Sequence, residues 1–202
     1  MIIRQEIKER ALTQLRLGWT YPVLATLVIT LLNGLSSAPS IGLIISVLLV
    51  LPLNYGFSIA LLQLIRQDDT EVLRNMTNMA RSNYGRALAV PLLTSIFTFL
   101  WSLLLIVPGI IKSYAYAMAN YISLDHPEYT PNNCIDYSQD MMDGHKMELF
   151  LLDLSFIGWI LLGILSFGIG MLWVTPYLQT SHAVFYEKIK EEFENDIPLI
   201  KA

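Results

Sequence analysis

The sequence predicts an all-α, polytopic membrane protein of six transmembrane helices, arranged as three hairpins that each follow a cytoplasmic amphipathic helix. Three observations predict it. Of 13 Lys and Arg residues, 12 fall in four polar segments, 1–16, 66–86, 125–148 and 187–202. The first uncharged stretch between them, Leu17 to Ile65, is 49 residues long. One helix needs only ~20 residues to cross a hydrocarbon core ~30 Å thick, so this block reads as two helices and a turn. Lastly, the chain is 54% hydrophobic and 15% charged, against about 25% charged residues in a soluble domain.

No polar segment is long enough to build its own core, so residues 1–202 read as a single integral-membrane domain. One cysteine, Cys134, excludes an internal disulfide. Net charge is −4 with dispersed cations, which excludes nucleic-acid binding through a phosphate-neutralising patch. Residues 23–32 with Ser36 and Ala38 have the outline of a signal peptide, but Glu6, Glu9 and the amphipathicity of residues 1–18 argue against one.

In chain order, Ile3, Ile7, Ala11 and Leu15 recur at helical spacing and lead to Gly18-Trp19. Spans 19–35 and 41–65 follow, parted by the breakers Ser36-Ser37-Ala38-Pro39-Ser40. Thr70 is the expected N-cap of a second amphipathic helix carrying Val72, Leu73, Met76, Met79 and Ala80, which ends near Tyr84-Gly85. Spans 86–104 and 107–124 come next. Thr130-Pro131 supplies a cap and a first-turn proline for a third amphipathic helix with Cys134, Ile135, Met141 and Met142 on one face and Gly144 as C-cap. Spans 147–165 and 169–187 complete the set, turning at Gly168 and Gly170.

This order suggests a threefold internal repeat of about 60 residues, units 1–65, 66–124 and 125–190 with a polar tail 191–202. Pro52, Pro108 and Pro176 fall in the second helix of each hairpin, where each frees a carbonyl and bends the axis. Glycine before each hairpin lets a headgroup-level helix turn into the bilayer. Arg4, Lys8, Arg10 and Arg16 precede the first span, and Arg66, Arg74, Arg81 and Arg86 fill the second polar segment. The opposite turns carry no Lys or Arg, so both termini are expected in the cytoplasm.

Three ionisable residues are expected at membrane depth. Lys112 has two compatible geometries. With Pro108-Gly109 as the outer turn it snorkels to the far surface; with Pro108 as a kink it lies near mid-bilayer and needs a partner, since an unpaired ammonium there costs at least ~2.5–3.5 kcal/mol. Asp153 and His182 lie on adjacent antiparallel spans at similar depth, roughly 8–9 Å from the cytoplasmic interface at 1.5 Å per residue, so a contact is open to them. Such groups are either functional or simply reach headgroups and water. Asp136, Asp140 and Asp143 share a helix side at i, i+4 and i+7, with His145 just beyond, read as a solvated face or as a divalent-cation site. The sequence holds no HExxH, CxxC pair, phosphate-cradling loop or nucleophile elbow, so no catalytic, metal or cofactor set is assigned.

Several blocks carry a family resemblance: Leu100–Tyr114 with its Val107-Pro108-Gly109-Ile110-Ile111-Lys112, Met141-Met142-Asp143-Gly144-His145-Lys146, Phe150–Trp159, and Gly168–Tyr177 closing near Phe185-Tyr186-Glu187. The chain resembles the bacterial integral-membrane family catalogued as domain of unknown function 975 (DUF975), most specifically over residues 100–187. The resemblance implies a multi-pass protein of the bacterial cytoplasmic membrane and carries no activity or cofactor.

Two functions fit these residues best. One is a non-enzymatic membrane-organising component that contacts the lipid bilayer and a membrane-protein partner or a second copy. The other is a small transporter or channel using Lys112, Asp153 and His182, which broken helices at matching points of repeats would favour. A lipid-acting membrane enzyme ranks below both.

Overall fold

In the computed structural model, which describes residues 4–36 and 42–200, every regular element is helical. The α1 helix (Arg4–Arg16) buries Ile7, Ala11 and Leu15 along the expected stripe. After Gly18 the chain bends by 98° into α2 (Thr20–Leu35). Ile3 and the turn residues Ser37 to Ser40 lie outside the described residues.

Helix α3 (Gly42–Ile45) passes through one π-helical turn, Ser46–Val50, into α4 (Leu51–Gln67). The second residue of α4 is Pro52. Proline has no N–H for the carbonyl four residues back; that carbonyl, of Leu48, instead accepts the Tyr84 hydroxyl at 2.8 Å. Further along, Phe57, Ile59 to Leu62 and Leu64 are buried, so α4 is the central rod. Helix α5 (Val72–Ser82) lies along it with Val72, Met76 and Ala80 inward. Gly56 lets the two touch, because a Cβ there would sit 2.2 Å from the Met76 carbonyl oxygen. The expected Thr70 cap is corrected: Glu71 is the N-cap residue, and the Asp69 carboxylate accepts from the Glu71 N–H and the Asn75 amide.

Gly85 is not a breaker but lies in the first turn of α6 (Tyr84–Leu104), which also contains Pro91. The reversal falls at Leu105, whose extended backbone (φ −159°, ψ 141°) separates α6 from α7 (Ile106–Ala115). Pro108 therefore sits in the first turn of α7, where its missing N–H removes no helical bond and forces no kink. Gly109 marks a close approach rather than the turn, its Cβ position lying 2.7 Å from the Cα of Ser102. The predicted span 107–124 is broken at Tyr116 to Met118, continuing as α8 (Ala119–Asp125).

Thr130 caps α9 (Pro131–Met141), its hydroxyl oxygen accepting from the Asn133 N–H at 3.3 Å, and Gly144 turns the chain with φ +84°. Helices α10 (Lys146–Leu154) and α11 (Ile157–Leu165) flank a break at Ser155-Phe156. Phe167 and Gly168 turn the chain through left-handed backbone into α12 (Met171–Ile200). Pro176 lies inside α12, which continues as helix through it.

Three stretches, Gly42–Gln67, Tyr84–Leu103 and Lys146–Leu165, are long and apolar enough to cross a membrane; the bent α1–α2 pair meets the same measure only when taken together. The other expected spans differ for local reasons. Helix α2 has only 16 residues, and 107–124 is divided at Tyr116. Span 169–187 is the apolar beginning of a 30-residue helix whose second half is charged.

The exposed large apolar side chains sort into three stretches among the described residues: Leu17 to Leu49, Tyr84 to Ile111, and Met147 to Trp173. The most exposed are Phe167 at 98% and Leu43 and Leu165 at 78%, followed by Ile106 at 76%. Residues 50–83, 112–146 and 174–195 contain none; their apolar side chains form most of the shared core, joined by Ile7, Ala11 and Leu15 of α1, Ala25 and Ile29 of α2, and Leu149 and Leu152 of α10.

Candidate functional site

The polar side chains gather where the exposed apolar stretches meet that core. Lys112 directly follows the second exposed stretch. Its ammonium turns inward to donate to Gln139 Oε1 on α9 at 2.6 Å, and stands over the Trp101 and Tyr116 rings at 5.2 and 5.8 Å. Pro108 opens α7 instead of kinking it, and the Lys112 ammonium has a side-chain partner in Gln139.

Two residues further along α7, about half a turn, the Tyr114 hydroxyl donates to Asp153 Oδ2 at 3.0 Å. The other oxygen of Asp153 meets His182 Nε2 at 2.6 Å, so α7, α10 and α12 converge on one carboxylate. The Phe150 ring packs edge-on to Tyr114 beside it. Lys112 does not join this triad; it faces α9, while Tyr114 faces α10 and α12.

Ser138 repairs the α7–α8 break. Its hydroxyl donates to the Ala115 carbonyl at 2.7 Å and accepts from the Met118 N–H at 3.2 Å. A similar role falls to Lys8 at the second break, where its ammonium donates to the Ser155 carbonyl and hydroxyl oxygens, both at 3.2 Å, above the Phe156 ring.

Sequence reasoning missed the largest ionic cluster. Asp125, its side chain 9% exposed, accepts a bidentate pair from Arg66 at 2.6 and 2.7 Å, the Lys190 ammonium at 2.8 Å and the Tyr186 hydroxyl at 2.7 Å. Arg66 also holds Glu187 at 2.7 Å. Burial would raise the Asp125 carboxyl, but the hydrogen bonds from Arg66, Lys190 and Tyr186 outweigh it and hold the group well below the usual carboxylate range. The signal lay in the repeat register: Arg66, Asp125 and Glu187 stand at the ends of the three expected returning limbs, with opposite signs.

Of the side chains read on that helix side, Asp136 meets Gln139, Asp143 meets Lys146, and His145 meets Glu148 and Glu192, each separately. Among the described residues no group of three His, Cys, Asp or Glu side chains is gathered to hold a metal ion.

Helical throughout, with three stretches long and apolar enough to cross a bilayer and polar side chains joining them, the chain has the build of an integral-membrane protein. It belongs to the family described as "Protein of unknown function (DUF975)", matched over residues 1–112 and 103–192. That match reaches the N-terminal third, beyond the block where the resemblance is most specific. No curated protein and no solved structure matches the chain.

Proposed function

We propose that this protein is a non-enzymatic, multi-pass component of the bacterial cytoplasmic membrane that organises the bilayer or holds a membrane partner. In this reading it crosses six times as three hairpins, with both termini in the cytoplasm. The observation that carries it is that the polar side chains of the apolar limbs close onto other helices of the same chain. Lys112 meets Gln139, and Asp153 meets Tyr114 and His182. Used this way, buried polar groups fix one arrangement of helices that apolar packing in lipid would leave loosely specified.

The grouping of exposed apolar side chains into 17–49, 84–111 and 147–173 supports three inserted hairpins. The Asp125 cluster, joining the ends of α4 and α8 to the middle of α12, supports a common return side. The Lys and Arg residues of α1 and of residues 66–86 support a cytoplasmic assignment for that side.

A small transporter is the second reading, and the 2.6 Å Asp153–His182 contact favours it, because ionisable side chains set between apolar helices mark solute and ion paths. Flux of candidate solutes into reconstituted vesicles, measured beside protein abundance for Lys112→Ala and Asp153→Asn, separates the two. Reduced abundance without a change in flux per molecule supports the organising role. Lost flux at wild-type abundance overturns it in favour of transport.

A further inference from the structure

An apolar groove opens between the π-helical turn and first turn of α4 on one side and the end of α5 on the other. Leu48, Leu49, Pro52 and Leu53 form one wall, Ala80 and Tyr84 the other, around about 280 Å³. That volume is below the roughly 300–1,000 Å³ of a site enclosing a drug-sized ligand, and suits one chain-like apolar segment. The groove is held open from both sides. Tyr84 donates to the Leu48 carbonyl that Pro52 leaves free, and Gly56 keeps α5 seated on α4 one turn further along.

Its position gives it a direction. Leu48 and Leu49 close the first exposed apolar stretch and Tyr84 begins the second, so the groove crosses the boundary between the lipid-facing surface and the polar body. Arg81 stands at its polar end. The Arg81 side chain is exposed and makes no ion pair or hydrogen bond among the described residues, and no carboxylate lines the groove. Arg74, by contrast, is paired with Glu71.

We propose that this groove is a binding site for one anionic phospholipid, with an acyl chain along Leu48, Leu49 and Leu53 and the headgroup phosphate on Arg81. A guanidinium presents a planar fork that matches phosphate oxygens, and the aromatic edge of Tyr84 suits the headgroup level. This rests on the membrane reading above and adds a headgroup preference to it.

The test is native mass spectrometry of the full chain in mild detergent, given equal amounts of phosphatidylglycerol and phosphatidylcholine. Phosphatidylglycerol is expected to be retained in preference by about fivefold, the fold-change one basic side chain is worth at an anionic surface. Arg81→Gln should bring the ratio to about one with helicity and melting unchanged, while Arg81→Lys keeps much of it and Arg16→Gln, an exposed cation elsewhere, keeps all of it. Equal retention of the two lipids by the wild type, or an unchanged ratio in Arg81→Gln, overturns the site. So does displacement by an equal concentration of glycerol phosphate, which has no chain to fill the groove. A protein that stays monomeric in water without detergent would overturn the membrane reading itself, a separate result.

Discussion

The Ser138 hydroxyl on α9 stands 3.2 Å from the backbone nitrogen of Met118 and fills the break between α7 and α8. Two polar backbone groups, the Met118 N–H and the Ala115 carbonyl, depend on that one side chain. Ser138 is fully buried, so water cannot replace it. Ser138→Ala is expected to cost about 1–3 kcal/mol, the penalty of leaving buried groups unpaired, read as a lower melting temperature in detergent. A variant that melts like the wild type would mean that the break finds other partners.

Asp125 should be the most damaging single neutralisation. Asp125→Asn leaves Arg66 and Lys190 facing a neutral amide, and a broken buried pair costs about 3–5 kcal/mol. With Arg66 and Lys190 about a quarter exposed, solvent screening brings the expected loss nearer about 2–3 kcal/mol.

The same carboxylate sets a pH dependence. Its folded pKa lies below the ordinary value of about 3.9, so its stabilisation is fully present above that value and fades as pH falls through the depressed one. The gap in melting temperature between wild type and Asp125→Asn should stay constant from about pH 8 to pH 5 and narrow only below about pH 4. A gap that closes near neutrality would contradict the assignment.

Much of this was legible in the sequence. Long uncharged blocks, the Thr130-Pro131 start, and the glycines at 144 and 168 mark real features, because each follows from local backbone chemistry or from the cost of placing charge in lipid. The breaks at Tyr116 to Met118 and Ser155-Phe156 were not legible. No proline lies at either, and each is stabilised by a distant side chain, Ser138 or Lys8, whose position depends on tertiary packing. Proline alone misled in the other direction: Pro108 opens α7 instead of kinking it, and Pro91 lies within α6 unanticipated. The Asp125 cluster joins residues 59 and 65 positions apart, beyond any local periodicity.

Lys112 and Gln139 should behave as a coupled pair. Lys112→Met keeps the length of the stem and removes the charge, and Gln139→Ala removes the acceptor. A hydrogen bond to a charged group is worth about 1.5–3 kcal/mol, so the double variant should melt higher than the sum of the two single losses predicts. Additive losses would show that the rings of Trp101 and Tyr116, not Gln139, hold the ammonium.

Gly109 is expected to tolerate nothing larger. Its Cβ position lies 2.2 Å from the Ser102 hydroxyl oxygen and 2.7 Å from the Ser102 Cα. The hydroxyl can rotate or be deleted, but the Cα is backbone and cannot move without parting α6 from α7. Gly109→Ala should therefore cost about 1–3 kcal/mol by overpacking, and adding Ser102→Ala should recover only a small part of it. The readout is melting temperature, together with cross-linking between cysteines placed on α6 and α7, which should fall as the helices separate. Full recovery in the double variant would show that the hydroxyl alone was in the way and that the two backbones do not need to meet so closely.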